Sequence, residues 1–449
     1  MHIYTPTPIA RALLLASASM LAGAAVAAPR FLPAQAGDLI PQHVIAPAAA
    51  LASAGAPGLE RAAVNMSWAV QGALTGAPQP FVGNSREYYA EVSAEQLRAG
   101  VAIHTTAPRA LVRLQPLGAT GPREQLAIHP QSLVIANAGG RAYASGSGME
   151  MLVTADKLNK AELPFAEGTS AFRLHPDLGA GSFQLRAPDM QGGQRYLINV
   201  VEPDSRLVLA MRTDAPSYLH GQQLTILPEL QEQDGARVLA RHGLQRLDGV
   251  VTSPAGRSFA LSFQPGMDGK LRARLPLDAD ETPTPGLWEV QASGQAKVAG
   301  QTVMRTLRVA FAVALPVARL DGSAAMASLP GSVGVRLGVE VGAAGRYETR
   351  AVLYGTINGA FQPLAMAHAA QWLEPGSQSL VLRYDAGLLA GASGPFELRD
   401  LNLLDQGRVG VLQRQQRGVA IDEHDLARGG AQLAPAQPPE RVKLAPQNG

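Results

Sequence analysis

The chain has 449 residues, a net charge of +2 and no cysteine, and 46% of its residues are hydrophobic. Its length accommodates about three domains of ~100–200 residues each, and the lack of cysteine excludes disulfide bonds, thiolate metal sites and cysteine nucleophiles. The basic residues alternate with apolar ones instead of clustering, and only 5% of the residues are aromatic, so the sequence predicts no nucleic-acid partner.

The first 27 residues have the features of a secretory signal peptide. Arg11 precedes an apolar run, and the small residues Ala25 and Ala27 fit a signal peptidase, so we expect cleavage after Ala27. The apolar run is shorter than the ~20 residues that span a bilayer, and no later segment is continuously apolar over that length. The sequence therefore predicts an exported chain, periplasmic or extracellular, that does not span the membrane.

The next part of the chain contains a predicted linker and a predicted N-terminal domain. Residues 28–60 are rich in Ala and Pro and show little periodicity, which predicts a linker or a loosely held arm. Within residues 61–205, apolar and polar residues alternate in short segments such as 101–105, which predicts strands with one buried face. Ser93 and Gln96 have the spacing of a helix capping box. Residues 61–205 are therefore predicted to form a mainly β domain.

Two further units are predicted, at residues 206–316 and 317–421. The clearest strand is Val333 to Val341, where five apolar residues alternate with Gly, Arg and Glu. The phase of alternation breaks at Arg399-Asp400, which predicts a β-bulge. Residues 422–449 are polar and rich in Ala, Gln and Pro, which predicts a disordered tail. Many short strands and no long helix predict an all-β fold of tandem immunoglobulin-like β-sandwiches with a mainly β N-terminal domain.

The opening of the second unit carries a motif. Tyr218 and Gly221-Gln222, within Asp214 to Gln222, resemble the Tyr-x-x-Gly-Gln/Glu element of macroglobulin-type and related immunoglobulin-like domains, although Leu219-His220 replaces the common Arg-Pro. The resemblance implies a sandwich whose first core strand follows the motif. It also implies protease engagement, but only in a non-covalent form, because the thioester of some such proteins requires cysteine.

A second resemblance covers roughly residues 80–420. The segments that carry it are Arg86-Glu87-Tyr88-Tyr89, residues 100–108, residues 165–185 and Val201-Glu202-Pro203. Together with the two units that follow, they resemble an exported bacterial family called domain of unknown function 4785. The resemblance implies export and tandem immunoglobulin-like domains, and it implies no catalytic or cofactor-binding residue in this chain.

Acidic clusters are the best candidates for a chemical site. No Gly-x-Ser-x-Gly motif is present, and no two histidines lie three or four residues apart. Glu202, Asp204 and Asp214 lie at the seam between the first and second units, where inter-domain loops can supply the oxygen ligands that calcium prefers. We therefore treat them as candidate metal ligands, with solvated turns as the alternative. The other acidic clusters are Asp278, Asp280 and Glu281, and Asp400 with Asp405.

These observations favour a non-catalytic binding or interaction protein of the bacterial envelope or secretome, with a protein or envelope partner. The alternative is an exported hydrolase whose active site lies in the N-terminal β domain, since a sandwich fold does not exclude catalysis. Asp422-Glu423-His424-Asp425 mixes an imidazole with carboxylates, but it follows the last predicted strand, where we expect nothing to position it.

Overall fold

The computed structural model describes residues 28–46, 58–70, 74, 78–118, 126–161, 165–277 and 286–428. The secondary structure of these residues is mainly antiparallel β-sheet, arranged as three sandwich-like domains, so the predicted all-β fold is confirmed. None of the helices in these ranges is long and apolar enough to cross a bilayer. The predicted signal peptide, the acidic cluster at residues 278–281 and the predicted tail beyond residue 428 lie outside the described residues.

Three short strands precede the domains and join sheets that later parts of the chain complete. They are β1 (Arg30–Phe31), β2 (Val64–Ala69) and β3 (Val82–Ser85).

The N-terminal domain consists of two antiparallel sheets around one apolar core. Its strands are β4 (Glu87–Ser93), β5 (Val101–Thr105), β6 (Leu111–Leu117), β7 (Val134–Asn137), β8 (Ala142–Ala144), β9 (Met149–Val153), β10 (Ser170–Leu174), β11 (Gly181–Arg186) and β12 (Arg195–Val201). The sheet orders are β4-β12-β6-β10-β9 and β5-β11-β7-β8. Its helices are α1 (Ala94–Ala99), α2 (Ser145–Gly148) and α3 (Ala155–Lys160). The predicted capping box is confirmed, because Ser93 and Gln96 cap the start of α1 reciprocally.

The middle domain is a second sandwich, and its core contains Trp288, which stacks on Phe259 and contacts the tilted ring of Phe311. Its strands are β13 (Leu207–Thr213), β14 (Ser217–Leu219), β15 (Gln223–Asp234), β16 (Arg237–His242), β17 (Arg246–Thr252), β18 (Ser258–Leu261), β19 (Gln264–Pro265), β20 (Leu271–Pro276), β21 (Leu287–Val298) and β22 (Gln301–Ala314). One sheet has the order β19-β20-β15-β13-β3, with β16 also on β15, and the other has the order β14-β22-β21-β17-β18.

An acidic side chain of the middle domain sits among hydrogen-bond donors. Glu229, in β15, accepts hydrogen bonds from Gln231 (2.9 Å), Lys270 (3.1 Å) and Arg241 (3.1 Å). Partial burial acts to raise the pKa of Glu229, but these donors outweigh it and lower the pKa from 4.5 to about 2.

Glu229 should therefore contribute to the free energy of unfolding of the middle domain at neutral pH and lose that contribution at low pH. A carboxyl group whose pKa is lower in the folded state stabilises the fold above its unfolded pKa of 4.5 and loses that contribution as the pH falls towards 2. We expect the free energy of unfolding to decrease less between about pH 5 and about pH 2.5 in Glu229→Gln than in the wild type. Urea unfolding at several pH values measures this, with Glu289→Gln as control, since the Glu289 side chain is 44% exposed. An equal decrease in Glu229→Gln and in the wild type would contradict this expectation.

The C-terminal domain is a sandwich of a six-stranded and a three-stranded sheet. Its strands are β23 (Ala318–Leu329), β24 (Ser332–Val341), β25 (Gly345–Ile357), β26 (Ala360–Leu373), β27 (Gly376–Asp385), β28 (Ser393–Asp405) and β29 (Gly410–Ile421). A short helix, α4 (Glu423–Arg428), follows β29. The sheet orders are β1-β29-β28-β25-β26-β2 and β23-β24-β27.

Two predictions for the C-terminal domain are confirmed. The alternating apolar residues from Val333 to Val341 form β24, and all five of them are buried in the core. The predicted bulge is present, because the register between β28 and β29 shifts between Leu398 and Arg399. Asp400 adopts a positive φ of 49° there. The shift returns Leu401 to the buried face after Leu398, which explains the phase break in the sequence.

The predicted linker at residues 28–60 is wrong for residues 28–46. β1 pairs with β29 at the edge of the C-terminal sheet, and Leu39 and Arg414 exchange two backbone hydrogen bonds of 2.9 and 2.8 Å. The amide of Ile45 then donates to the carbonyl of Pro316 (2.9 Å), between the middle and C-terminal domains. An open sheet edge has unpaired backbone groups that favour such pairing, and a two-residue strand is too short to show a period in the sequence.

The predicted boundaries at residues 61 and 422 also need correction, whereas the one at residue 205 falls between β12 and β13. β2 pairs with β26 at the opposite edge of the C-terminal sheet, and β3 pairs with β13 of the middle domain, so the N-terminal domain begins only at β4. The predicted tail begins later than expected, because Leu426 of α4 is buried in the C-terminal core. The first 70 residues therefore contribute both edge strands of the C-terminal sheet.

Candidate functional site

The most tightly built polar cluster lies where the N-terminal and middle domains meet. Glu202 follows β12, and Arg305 lies in β22 between the buried residues Val303 and Leu307. Their side chains are 0% and 1% exposed, and a guanidinium nitrogen of Arg305 lies 2.6 Å from a carboxylate oxygen of Glu202. Met304, also in β22, packs against the core of the N-terminal domain, so the ion pair is enclosed by protein.

Further hydrogen bonds engage the remaining polar atoms of this pair. Thr106 donates to both carboxylate oxygens of Glu202, from its amide (2.6 Å) and from its hydroxyl (2.9 Å). Arg305 donates to the carbonyl of Leu207 (3.0 Å) and to the hydroxyl of Ser205 (2.8 Å). Thr106, Glu202, Ser205 and Arg305 are called the junction network below.

Burial shifts the pKa values of Arg305, in the junction network, and of Tyr88, beside it, towards the uncharged form of each group. It lowers the pKa of Arg305, and the neighbouring Glu202 carboxylate opposes this effect. It raises the pKa of Tyr88 far above its ordinary value, and the Tyr88 hydroxyl accepts a hydrogen bond from the His104 amide. A buried, hydrogen-bonded ion pair holds its neighbours in one arrangement. With both carboxylate oxygens engaged and no exposure to solvent, Glu202 serves to connect two domains.

A cavity of about 290 Å³ opens next to the junction network, between β4 and β22. Glu87 and Tyr89 are on its wall, and the Tyr89 hydroxyl donates to Glu87 (3.2 Å). Asn199 donates to the other carboxylate oxygen of Glu87 (3.1 Å), and Arg113 lies 3.5 Å from it. Partial burial and the nearby Glu87 raise the pKa of Tyr89. The cavity thus brings two titratable groups together at the rim of the N-terminal domain.

The structure separates the three candidate metal ligands. Glu202 is the buried partner of Arg305, whereas Asp204 and Asp214 are exposed. Asp214 accepts hydrogen bonds from the Tyr218 hydroxyl and from the Thr225 amide, so it fixes the turn before β14. Throughout the described ranges, no three His, Asp or Glu side chains form a group that could hold a metal ion.

Asp400, Asp405 and the acidic residues after β29 also have structural contacts. Asp405 is 1% exposed and pairs with Arg408 (2.6 Å), and Asp400 occupies the bulge. In the predicted tail, Glu423 accepts a hydrogen bond from the Gly394 amide (2.6 Å), so α4 is held against β28. The expectation that nothing positions residues 422–425 is therefore wrong.

These contacts lead to an expected result for calcium. Because Arg305 compensates Glu202 and backbone or hydroxyl donors engage Asp214, we expect added calcium to leave the midpoint of thermal unfolding of residues 28–449 within about 1 °C of its value in EDTA. Differential scanning calorimetry of the same protein in both conditions measures this. A rise of several degrees with calcium would show native-state ion binding, and variants of Asp204 and Asp214 would then locate it.

The sequence analysis missed Arg305 and Thr106, although one signal for Arg305 was present. In β22, Val303, Leu307 and Val309 are buried, and Arg305 is in phase with them. Glu202 is likewise in phase with the buried alternating residues of β12. A charge at an inward position requires a partner, so this shared phase could have paired the two residues. Thr106 carries no such signal.

Comparison with known proteins gives two family matches and a fold match. Residues 55–202 match the N-terminal domain of the family of domain of unknown function DUF4785, and residues 317–422 match its C-terminal domain. A DUF4785 family protein from Legionella pneumophila is similar in structure, with 22% identity, a TM-score of 0.64 and coverage of 88% of this chain and 99% of that chain. This likeness shows the shared fold.

Other structural similarities are weaker. Native alpha-2-macroglobulin from Escherichia coli is 14% identical, with a TM-score of 0.26, and the match covers 76% of this chain and 20% of that chain. The trypsin-activated form of alpha-2-macroglobulin from the same organism matches with 15% identity and a TM-score of 0.19. No curated protein sequence is similar to this chain.

Proposed function

The chain belongs to the DUF4785 family, as its sequence predicted, and we propose that it is an exported, non-catalytic binding protein of the bacterial envelope or secretome. The observation that carries the proposal is the enclosure of the junction network. Glu202 and Arg305 bring a carboxylate and a guanidinium together, yet their side chains are 0% and 1% exposed and their charges compensate each other. The strongest polar cluster of the described residues is therefore inaccessible to a substrate and serves to join domains.

The connections between domains support a binding role. The junction network joins the N-terminal and middle domains. The backbone hydrogen bond from Ile45 to Pro316 joins residues 28–46, called the N-terminal arm below, to the seam before the C-terminal domain. Tandem sandwiches connected in this way present broad sheet faces in a fixed arrangement. Such faces suit a protein or envelope partner, because partners dock best on surfaces that need little rearrangement.

The alternative is an exported hydrolase, and the cavity beside β4 is the observation that favours it. Glu87 and Tyr89 lie within hydrogen-bonding distance of each other on its wall. A general base needs a carboxylate that can accept a proton from substrate or water. Asn199, Tyr89 and Arg113 surround this carboxylate, which favours a structural role for Glu87.

A protease-engaging role, implied by the macroglobulin-like motif at Tyr218, is a further form of protein binding.

Cross-linking in the bacterium that encodes the chain tests the proposal. A tagged full-length chain should appear outside the cytoplasm with Ala28 as its first residue, and cross-linking should recover a partner at a fixed ratio. The Glu87→Gln/Tyr89→Phe variant should recover that partner at the same yield. Recovery of no partner by either protein would overturn the binding role, and a chain that retains residues 1–27 would overturn export. Turnover of chromogenic ester, peptide or glycoside substrates that this variant abolishes would establish the hydrolase instead.

A further inference from the structure

The outer face of the six-stranded C-terminal sheet, turned away from the three-stranded sheet, carries an unusual set of side chains. In the sheet register, Trp68 lies opposite Met366, and Met366 lies opposite Val352. Directly opposed residues of an antiparallel sheet point to the same face. The residues between them, such as Ala367 and Leu353, belong to the buried core, so Trp68, Met366 and Val352 point to the other face, where Val352 is covered and 0% exposed.

Aromatic and methionine side chains extend this outward row in both directions. Met66 lies two residues from Trp68 on β2, and Tyr354 lies two residues from Val352 on β25. The rings of Tyr354 and Phe361 are 5.7 Å apart. Met66, Trp68 and Phe361 are 50%, 43% and 42% exposed. The outward side of a two-layer sandwich is normally polar, so these exposed apolar side chains mark a surface suited to a partner.

Arginines accompany the apolar row, and two carboxylates of the same cluster, Glu397 and Asp400, balance Arg399 and Arg417. The Arg399 guanidinium lies over the rings of Tyr354 (4.8 Å) and Phe361 (5.0 Å). Glu397 binds both Arg399 (3.1 Å) and Arg417 (2.6 Å), so one carboxylate serves two cations. Asp400, at the bulge, is a second acidic group near Arg399.

Arg350 adds a cation beside Met66. It lies on β25 opposite His368, which itself lies opposite Met66, so the three share the outer face. Arg350 is exposed and forms no hydrogen bond or ion pair with any residue that the structure describes. Glu348, the nearest carboxylate along β25 on this face, is engaged by His368 (3.5 Å) and Gln406 (2.7 Å).

The composition of this surface identifies the class of its occupant. Trp, Tyr, Met and Arg are the side chains enriched at the centres of protein interfaces. A second copy of the chain would present the same face, on which the carboxylates of Glu348 and Glu397 are already engaged. A membrane would be entered by side chains at a protruding loop, whereas these project from the face of a sheet and are about half buried. Arg350, which forms no hydrogen bond or ion pair with any described residue, instead favours a partner that presents a carboxylate.

We propose that the surface formed by Met66, Trp68, Tyr354, Phe361, Arg350 and Arg399 docks an acidic protein segment that carries an aromatic or aliphatic anchor. This inference rests on the proposed binding function and specifies its surface. The anchor would contact Trp68 and Met66, and a carboxylate would meet Arg350.

A phage-displayed library of random linear peptides, about twelve residues long, provides the probe. Selection on the full mature chain, with counter-selection on Trp68→Ala/Arg350→Ala, should enrich peptides that combine Asp or Glu with an aromatic or aliphatic residue. A synthetic peptide from this pool should bind the Trp68→Ala and Arg350→Glu variants at least ~10-fold more weakly than the wild type, and its affinity should fall as salt is added. Leu287→Ala removes an exposed apolar side chain and Arg336→Glu reverses an exposed charge on other surfaces, and both should leave its affinity unchanged.

Several outcomes would overturn the inference. The inference fails if the peptides bind the double variant as well as the wild type, or if the enriched peptides are basic. It also fails if the chain binds phosphatidylglycerol vesicles through Trp68 but binds no peptide, or if it forms a Trp68-dependent dimer in solution. Unchanged urea midpoints of the variants show that they fold. If the double variant still recovers the cross-linked partner, this surface is wrong while the binding function stands. If no variant and no wild-type chain recovers any partner, the binding function itself fails.

Discussion

Replacing Glu202 with glutamine should lower the free energy of unfolding by about 3–5 kcal/mol, because it leaves the Arg305 guanidinium buried without a counter-charge. Arg305 is 1% exposed, and its nearest anionic partner is the carboxylate 2.6 Å away. The backbone carbonyl of Leu207 and the hydroxyl of Ser205 would still accept its hydrogen bonds, but they carry no charge. Urea unfolding followed by circular dichroism measures the change.

A double variant separates the charge from the packing. Glu202→Met/Arg305→Met removes both charges and fills similar volume with apolar atoms, so it should be more stable than Glu202→Gln alone. Arg308→Met is the matched control in the same strand, since its side chain is 58% exposed, and it should change stability by less than about 0.5 kcal/mol. If Glu202→Gln is as stable as this control, the ion pair does not hold the two domains together.

The fold was predictable from the sequence where the signal is local. The alternation from Val333 to Val341 fixes which face of β24 is buried, and the phase break at Arg399-Asp400 identifies the bulge. Both signals depend on residues within one strand, where a period of two follows from the geometry of the extended backbone.

Pairing over long distances in the sequence was not predictable in the same way. Trp68 pairs with Met366 and Arg30 with Ala420, and nothing in either segment specifies its partner. The backbone groups of a sheet edge accept any extended segment of suitable shape. The segment of β1 was therefore predicted as a linker and the segment of β2 as part of the N-terminal domain, although both strands complete the C-terminal sheet.

The candidate site was predicted in part, for a reason that proved incomplete. Glu202 was selected as an acidic residue at a domain seam, and the seam is real, but its partner is Arg305 and not a group of further carboxylates. Sequence composition shows which charges exist, whereas the choice between a metal and an arginine depends on contacts between distant strands. For the outer face of the C-terminal sheet, the alternation of Met66 and Trp68 indicates a strand but not which side is covered.

Replacing Leu39 with alanine tests whether the N-terminal arm is an integral part of the C-terminal domain. Leu39 is 5% exposed, and it exchanges two backbone hydrogen bonds with Arg414. Removal of a buried leucine side chain costs about 2–5 kcal/mol through lost burial and the cavity that remains. We expect Leu39→Ala to lower the free energy of unfolding by an amount in that range, and to make residues 28–46 more accessible to protease because the arm is released.

Leu287→Ala is the matched control, because it removes the same atoms from a leucine that is 62% exposed, and it should change stability by less than about 0.5 kcal/mol. Limited proteolysis followed by mass spectrometry locates the first cleavage sites in each variant. A loosely held linker would make Leu39→Ala indistinguishable from this control, with the same rate of cleavage before residue 46 as in the wild type. A large loss of stability together with early cleavage there would instead show that the C-terminal sheet depends on strands supplied by the first part of the chain, since β1 and β2 cover its two edges.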